Sequence, residues 1–366
     1  MPSSAVRTFT DPDDYAASIR RSANEVTVIG RGQFAAKLTR IDLHGLWMQR
    51  LSENLPRILH CASETGRSAI TFRTHPGPSL AWSGKEMQPS NIRRHAEGEA
   101  AFQRSSGSAN FAAMSLPVEE MALLGATIGR CDLAPPTDPL TVTPAPAAMA
   151  RLQRLHAEAG RLAEEAPEII ANPEAARGLE QALIEAMISC LGDGGVGEDT
   201  AAQRRHEAIM RRFRIAVEVH PDRPLYVSDL CSAIGVSERT LQYCCQEQLG
   251  MGPKRYLLLR HMRLARRALR EADLITGAVT EIATRFGFWE LGRFAVRYRS
   301  LFGESPSHHL ARPAGLSAPE GGRLSPSFCG NCIVNPPGRR QVDAARPSPR
   351  QQSGHACSQD PQGGGT

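Results

Sequence analysis

The sequence predicts an α+β multidomain chain: a β-rich N-terminal half, a pair of helices, an all-helical C-terminal domain and a disordered tail. Three observations predict it. Short, partly alternating apolar segments separated by Gly, Pro, Ser or charge fill the first third of the chain. A ten-residue string recurs, in kind, 52 positions later. Charge is also uneven: residues 204–312 hold 19 Lys/Arg against 11 Asp/Glu, a net +8, while the other residues hold 24 against 27, a net −3. At 366 residues the chain is long enough for two or three domains with cores of their own.

Taken in order, "EVTVI", "FAAKLTRIDL", "LWMQRLS", "SAITFRT" and "SLAWSG" read as strands of an antiparallel sandwich or barrel between about Glu25 and Arg130. Such a fold with an interior pocket is a reasonable holder for a small molecule, but no residue in it identifies one. "PPTDPLTVTPAPAA" breaks the chain and leads into helices over 147–164 and 173–190, whose leucines lie on one side. "GDGGVGEDT" reads as a linker. The basic block follows and ends near Arg312. The last 54 residues include 8 Pro, 9 Gly and 6 Ser with no sustained apolar period, a composition that predicts disorder. The expected divisions are 1–145, 146–199, 200–312 and 313–366.

The repeat lies inside the basic block. "VSDLCSAIGV" (Val227–Val236) aligns in kind with "VTEIATRFGF" (Val279–Phe288). Ser228 and Thr280 are expected N-caps, and the acid after each suits a helix N-terminus. Gly235 and Gly287 are expected to end each short helix at positive φ. A second helix follows in both copies, so the pattern is a helix-turn-helix that occurs twice. In the first copy Ser237 is the expected cap, Leu241, Cys244, Cys245 and Leu249 face inward, and Arg239, Gln242, Tyr243 and Gln246 face outward. In the second, Leu291, Phe294, Tyr298, Leu301 and Phe302 form the inner stripe. Trp289, Gly292, Arg293, Val296, Arg299 and Ser300 stand opposite, with Arg297 on the flank. Arg and Gln are the side chains suited to bidentate contacts with guanine and adenine edges. Between the copies, Pro253–Asp273 reads as one long helix. It would space two recognition helices about one DNA turn, roughly 34 Å, apart. Its arginines Arg260, Arg263 and Arg267 are expected phosphate contacts.

"VSERTLQYCCQEQLG", Pro253-x-x-Tyr256-Leu257 and "IATRFGFWELGRFAVRYRSLFGESPSHHL" together resemble the DNA-binding domain of AraC-type transcription regulators, over about Arg204–Arg312. "GFWELGRFAVRYRSLFGESPS" is similar to the subgroup that includes the ethanolamine-operon regulator. The resemblance implies a β-rich, cupin-like regulatory domain in the N-terminal half. It also implies a sequence-specific transcription regulator, activator or repressor, that reads double-stranded DNA through Ser237, Glu238, Arg239, Gln242, Tyr243 and Gln246, and through Trp289, Gly292, Arg293, Val296, Arg297 and Ser300. RNA polymerase, a small-molecule effector and a second copy of the chain are the further partners expected, the last through helices 147–164 and 173–190. Many family members carry Arg where this chain has Val296, so reading there is expected to rely on Arg293 and apolar contact. Cys244 and Cys245 stand where Leu and Phe are usual, which predicts looser packing of the first recognition helix.

Other chemistries find little footing. Nine cysteines in no disulfide-rich pattern fit a reducing compartment, and no signal-like or membrane-spanning apolar run is present, so a cytoplasmic location is expected. Cys329-Gly-Asn-Cys332 with His355 and Cys357 is too loosely spaced for a zinc site. The histidines of the β-rich half, His44, His60, His75 and His95, include no His-x-His pair. No P-loop, dinucleotide fingerprint or nucleophile elbow occurs. Neither an enzyme nor a cofactor is expected. The rival readings are an enzyme located on DNA by its basic helices, and a ligand-free architectural protein.

Overall fold

The computed structural model describes residues 1–20, 24–62, 65–192, 194–197, 200–219, 224–272 and 278–310. The Pro/Gly-rich tail, with its cysteines, and Arg312 lie outside the described residues. The elements begin with β1 (Ser3–Phe9), α1 (Pro12–Ser18), β2 (Asn24–Val28), β3 (Ala36–Asp42), β4 (Trp47–Glu53), β5 (Arg57–Ala62) and β6 (Arg67–Arg73). They continue with β7 (Leu80–Trp82), β8 (Lys85–Glu86), β9 (Ile92–Arg94), β10 (Ala100–Ser105), β11 (Ala109–Pro117), α2 (Val118–Leu124), a π-helical turn (Gly125–Gly129) and β12 (Leu140–Thr143). Then come α3 (Pro146–Glu165), α4 (Pro167–Ala171), α5 (Pro173–Gly192), β13 (Gly195–Gly197), α6 (Ala201–Glu218), α7 (Val227–Ile234), α8 (Glu238–Leu249), α9 (Pro253–Glu271), α10 (Ala278–Arg285), α11 (Leu291–Phe302) and α12 (Pro306–Leu310).

The strands form two antiparallel sheets, in the orders β1-β3-β4-β11-β6-β9-β12-β13 and β2-β5-β10-β7-β8. One apolar cluster draws Leu38, Leu51 and Phe111 from the larger sheet and Val26, Leu59, Cys61 and Trp82 from the smaller, so the two sheets face each other. Period-2 alternation sends Ile41, Met48, Ala112 and Met114 to the opposite face of the larger sheet. There they meet Met149 and Leu152 of α3 and Leu183, Ile184 and Met187 of α5. A sheet buried on both faces needs apolar residues at consecutive positions, which is why β11 reads "ANFAAMSLP" rather than alternating. The space between the sheets is filled by Tyr15, Phe34, Trp82 and Phe111.

The outer face of the smaller sheet is covered as well. Ile58 and Phe102 join a cluster with Ile209, Met210 and Phe213 of α6, Leu230 of α7, Leu241 and Cys245 of α8, and Tyr256 of α9. Phe102 meets Tyr256 edge-on at 5.9 Å. The second half of α9 supplies Met262, Leu264, Ala265 and Leu269 to another core with Ile282, Phe286, Phe294 and Tyr298. One helix thus serves both helix-turn-helix cores. Residues 260–266 are buried on every side of it.

The apolar sides of α3 and α5 are spent against the larger sheet, and their outer faces carry pairs such as Arg161 with Glu165 and Arg177 with Glu174.

Candidate nucleic-acid interface

The two copies of the repeat fold alike. α7 ends at Gly235 (φ +67°) and α10 is followed by Gly287 (φ +83°), a left-handed backbone that a side chain would strain. In both, the amide after the glycine donates back five residues: Val236 to the Cys231 carbonyl at 3.1 Å, and Phe288 to the Ala283 carbonyl at 2.9 Å. The caps differ from expectation. α7 starts at Val227 and α10 at Ala278, so Ser228 and Thr280 lie inside the first turn and cap neither helix. The acids Asp229 and Glu281 do occupy the first turns. Ser237 is the cap of α8, accepting the Thr240 amide at 3.1 Å.

On α8 the inner residues Leu241, Cys244, Cys245 and Leu249 are fully buried. Burial pushes both thiols upward, Cys245 the more strongly, which disfavours the reactive thiolate. Ser237, Glu238, Arg239, Gln242, Tyr243 and Gln246 are all exposed. α6 supports this row from behind: the His206 ring meets Tyr243 at 5.2 Å, and its Nδ1 lies 2.8 Å from Glu247.

On α11 the buried side is a file of rings. Phe288, Phe294, Tyr298 and Phe302 follow one another with centroids 4.9, 5.6 and 4.7 Å apart. Leu291, assigned to this stripe by its angle, is instead exposed, because it is the first residue of the helix and has no preceding turn to pack beside. Trp289, Gly292, Arg293, Val296, Arg297 and Arg299 are exposed, and Ser300 is half-buried. Trp289 is 78% and Val296 71% exposed. Arg293 pairs with Glu290 at 2.8 Å on the surface.

α9 overturns part of the phosphate-contact expectation. Arg267 is exposed, but Arg260 and Arg263 are only 2% and 4% exposed and turn toward the N-terminal half. Arg263 reaches Asp13 and Glu25, each at 2.9 Å. Arg266 meets Asp11 at 2.5 Å, and Arg270 meets Asp11 at 2.6 Å and Asp14 at 3.2 Å. In this arrangement Arg260 and Arg263 do not present a guanidinium to a phosphate. The "DPDD" run (Asp11–Asp14) that receives these arginines also opens α1, where Asp11 accepts the amides of Asp13 and Asp14. Burial alone would raise the Asp11 carboxyl; Arg266 and Arg270 outweigh it and hold it below the usual carboxylate value. The run is visible in the sequence, but its partners lie some 250 residues away.

Beside α6, a cleft of about 300 Å³ is lined by Glu97, Asp138 and Glu207 together with Arg204, Arg211 and Arg214. Glu207 Oε1 is buried without a hydrogen-bond partner, and burial raises its carboxyl pKa. Inside the β-rich half, Thr71 Oγ1 lies 2.8 Å from His95 Nε2, and His95 Nδ1 lies 3.0 Å from Glu99. The line imitates a nucleophile, base and acid, but Thr71 and His95 are sealed from solvent, 0% and 2% exposed, so no substrate reaches them. Among the described residues no group of three metal-ligating side chains occurs. Among the described residues no helix is long and apolar enough to cross a membrane.

Residues 230–312 match the family described as a helix-turn-helix domain. The "Probable thc operon regulatory protein" of Rhodococcus erythropolis is 45% identical over 100 residues, 26% of this chain and 30% of that protein. The "XylDLEGF operon transcriptional activator" of Pseudomonas putida is 35% identical over 94 residues, 26% of this chain and 29% of that protein. The matched segment therefore spans less than a third of either relative. Among solved structures, the AraC-like transcriptional activator CuxR aligns with a TM-score of 0.35 at 13% identity, over 72% of this chain and 90% of that one.

Proposed function

We propose, from the premise that residues 230–312 are an AraC-type helix-turn-helix domain, that this chain is a sequence-specific transcription regulator. One observation carries the reading: the hydrogen-bonding row Arg239, Gln242, Tyr243 and Gln246 is exposed to solvent while the reverse side of the same helix is sealed. That row suits major-groove purine edges. α11 is the second reader, with Trp289, Gly292, Arg293, Val296, Arg297 and Ser300 at its groove, and Arg267 supplies a phosphate contact. α9 packs into both helix-turn-helix cores and so sets their spacing.

The divisions 1–145, 146–199, 200–312 and 313–366 remain our working units. The β-rich half is the regulatory one. Its interior is packed, so we place a small polar effector in the cleft beside α6, whose volume is at the lower end for ligand sites. Activation through RNA polymerase, a homodimer and a cytoplasmic location complete the proposal, together with the absence of catalysis. The narrower kinship with the ethanolamine-operon-regulator subgroup rests on "GFWELGRFAVRYRSLFGESPS"; the relatives above carry other operon names.

Selection of bound sites from random duplex DNA by the full chain, at two salt concentrations, tests the reading. Enrichment of two short motifs about one turn, roughly 34 Å, apart supports it. Binding that is salt-sensitive but indifferent to sequence overturns it.

A further inference from the structure

The two recognition helices present different chemistry to a groove. At 100° per residue, the outward centre of α8 is Arg239, Gln242, Tyr243 and Gln246, all exposed and all capable of hydrogen bonding. The corresponding centre of α11 is Val296, with Ser300 one turn below it and Trp289 just before the helix begins. Gly292 and Arg293 stand on either side of it, with Arg299 beside Gly292 and Arg297 further round beyond Arg293. Trp289 and Val296 are among the most exposed large apolar side chains of the chain, although each copy of the motif has an apolar core open to such residues. A solvent-exposed Trp at the N-terminal approach and a solvent-exposed Val on the middle of a recognition face are unfavourable in water. They become favourable against an apolar surface, and the major groove offers one: the C5-methyl of thymine. Gly292, with nothing near its Cβ position, lets the helix approach that surface closely.

We infer that α11 reads a half-site by the 5-methyl groups of thymine, through Trp289 and Val296, with Arg293 beside them; α8 reads its own half-site by hydrogen bonds to purine edges. The inference rests on the proposed DNA-reading function and names the base chemistry of one half-site.

The test uses the full chain and its selected operator, with deoxyuridine in place of thymidine at one position at a time. This removes a methyl and leaves every hydrogen-bonding group. One half-site should lose about fourfold in affinity per contacted methyl, the equivalent of roughly 0.8 kcal/mol per buried carbon. The other should not respond. 5-Methylcytosine placed in that half-site should recover part of the apolar contact. Val296→Ala and Trp289→Ala, both at exposed positions, should abolish the uracil sensitivity of that half-site and no other. A selected two-part operator indifferent to uracil throughout overturns the inference and leaves the regulator reading standing. Uracil sensitivity that survives both substitutions overturns it too. If no sequence is selected, both fall together.

Discussion

Arg239 and Arg263 bear the same guanidinium on the same basic block, and the fold gives them opposite tasks. Arg239 stands in solvent on α8; Arg263 lies buried between two carboxylates. Arg239→Ala should cost about 1–3 kcal/mol of discrimination at one or two base pairs. Arg267→Ala should instead weaken all sequences alike and reduce the salt slope by about 1. Competition binding against single-base operator variants distinguishes the two; equal weakening by Arg239→Ala everywhere would demote it to a phosphate contact. The histidines carry a second prediction. Burial lowers His60 from its ordinary 6.5 to about 4, His261 to about 4 and His156 to about 3. His60 faces Glu218 and Arg214 of α6, Glu25 of β2, and Arg260 and Arg263 of α9; His261 also feels Arg260, and His156 feels Arg50. A depressed folded value means the unfolded chain takes up protons first as pH falls. Stability should therefore decline from about pH 6.5 down to about pH 4, in addition to any loss from carboxylates. Urea unfolding at pH 7.5 and 5 would reveal it, and identical midpoints would contradict it.

The caps test the reading of individual helices. Ser237→Ala removes the acceptor for the Thr240 amide and should cost about 1 kcal/mol, whereas Ser228→Ala and Thr280→Ala should cost far less, since both lie inside a first turn. Thermal unfolding of the three variants decides it; equal losses would restore the original cap assignment. The short helices, their glycine stops and the α8 row are all local features, each set by a few consecutive residues, and the sequence exposed them. The cap error is a register error of two residues at Ser228 and three at Thr280, the scale at which helix ends are least determined. Strands were visible where half-buried polar residues interrupt the apolar run, as Lys37 and Arg40 do in β3. β5, β9, β10 and β11 escaped because double burial erases alternation, and because Arg93 and Arg94 on β9 read as surface while lying 3% and 8% exposed. The pairing of α9 with the "DPDD" run escaped for a different reason: no local pattern couples residues 11–14 to residues 263–270.

At the scale of the whole molecule, that pairing ties the helix-turn-helix half to the β-rich half without covering the outer faces of α8 and α11. Asp11, Asp13, Asp14 and Glu25 neutralise Arg263, Arg266 and Arg270, while the α8 and α11 faces stay open. Charges buried this deeply are held by their partners, so removing one side leaves the other unpaired out of water. Arg263→Ala takes from Asp13 and Glu25 their nearest cation, leaving Asp13 only Arg266 at 3.9 Å, and should lower stability by about 1–3 kcal/mol. Arg267→Ala, at an exposed position, should stay within about 0.5 kcal/mol. Because Asp11 and Glu25 are held below their ordinary values of 3.8 and 4.5, their contribution is complete above those values and is lost only as pH falls through the lower folded ones. Added salt should weaken the contact little, since buried pairs are poorly screened. The decisive comparison is denaturant unfolding of the two variants at neutral pH, followed by limited proteolysis. If the ion-pair cluster joins the halves, Arg263→Ala unfolds earlier and becomes cleavable between β-rich and helical parts under conditions where Arg267→Ala and the parent chain remain intact. If the two variants behave alike, α9 owes its burial to its apolar residues Met262, Leu264 and Leu269, and the acidic run merely lies beside it.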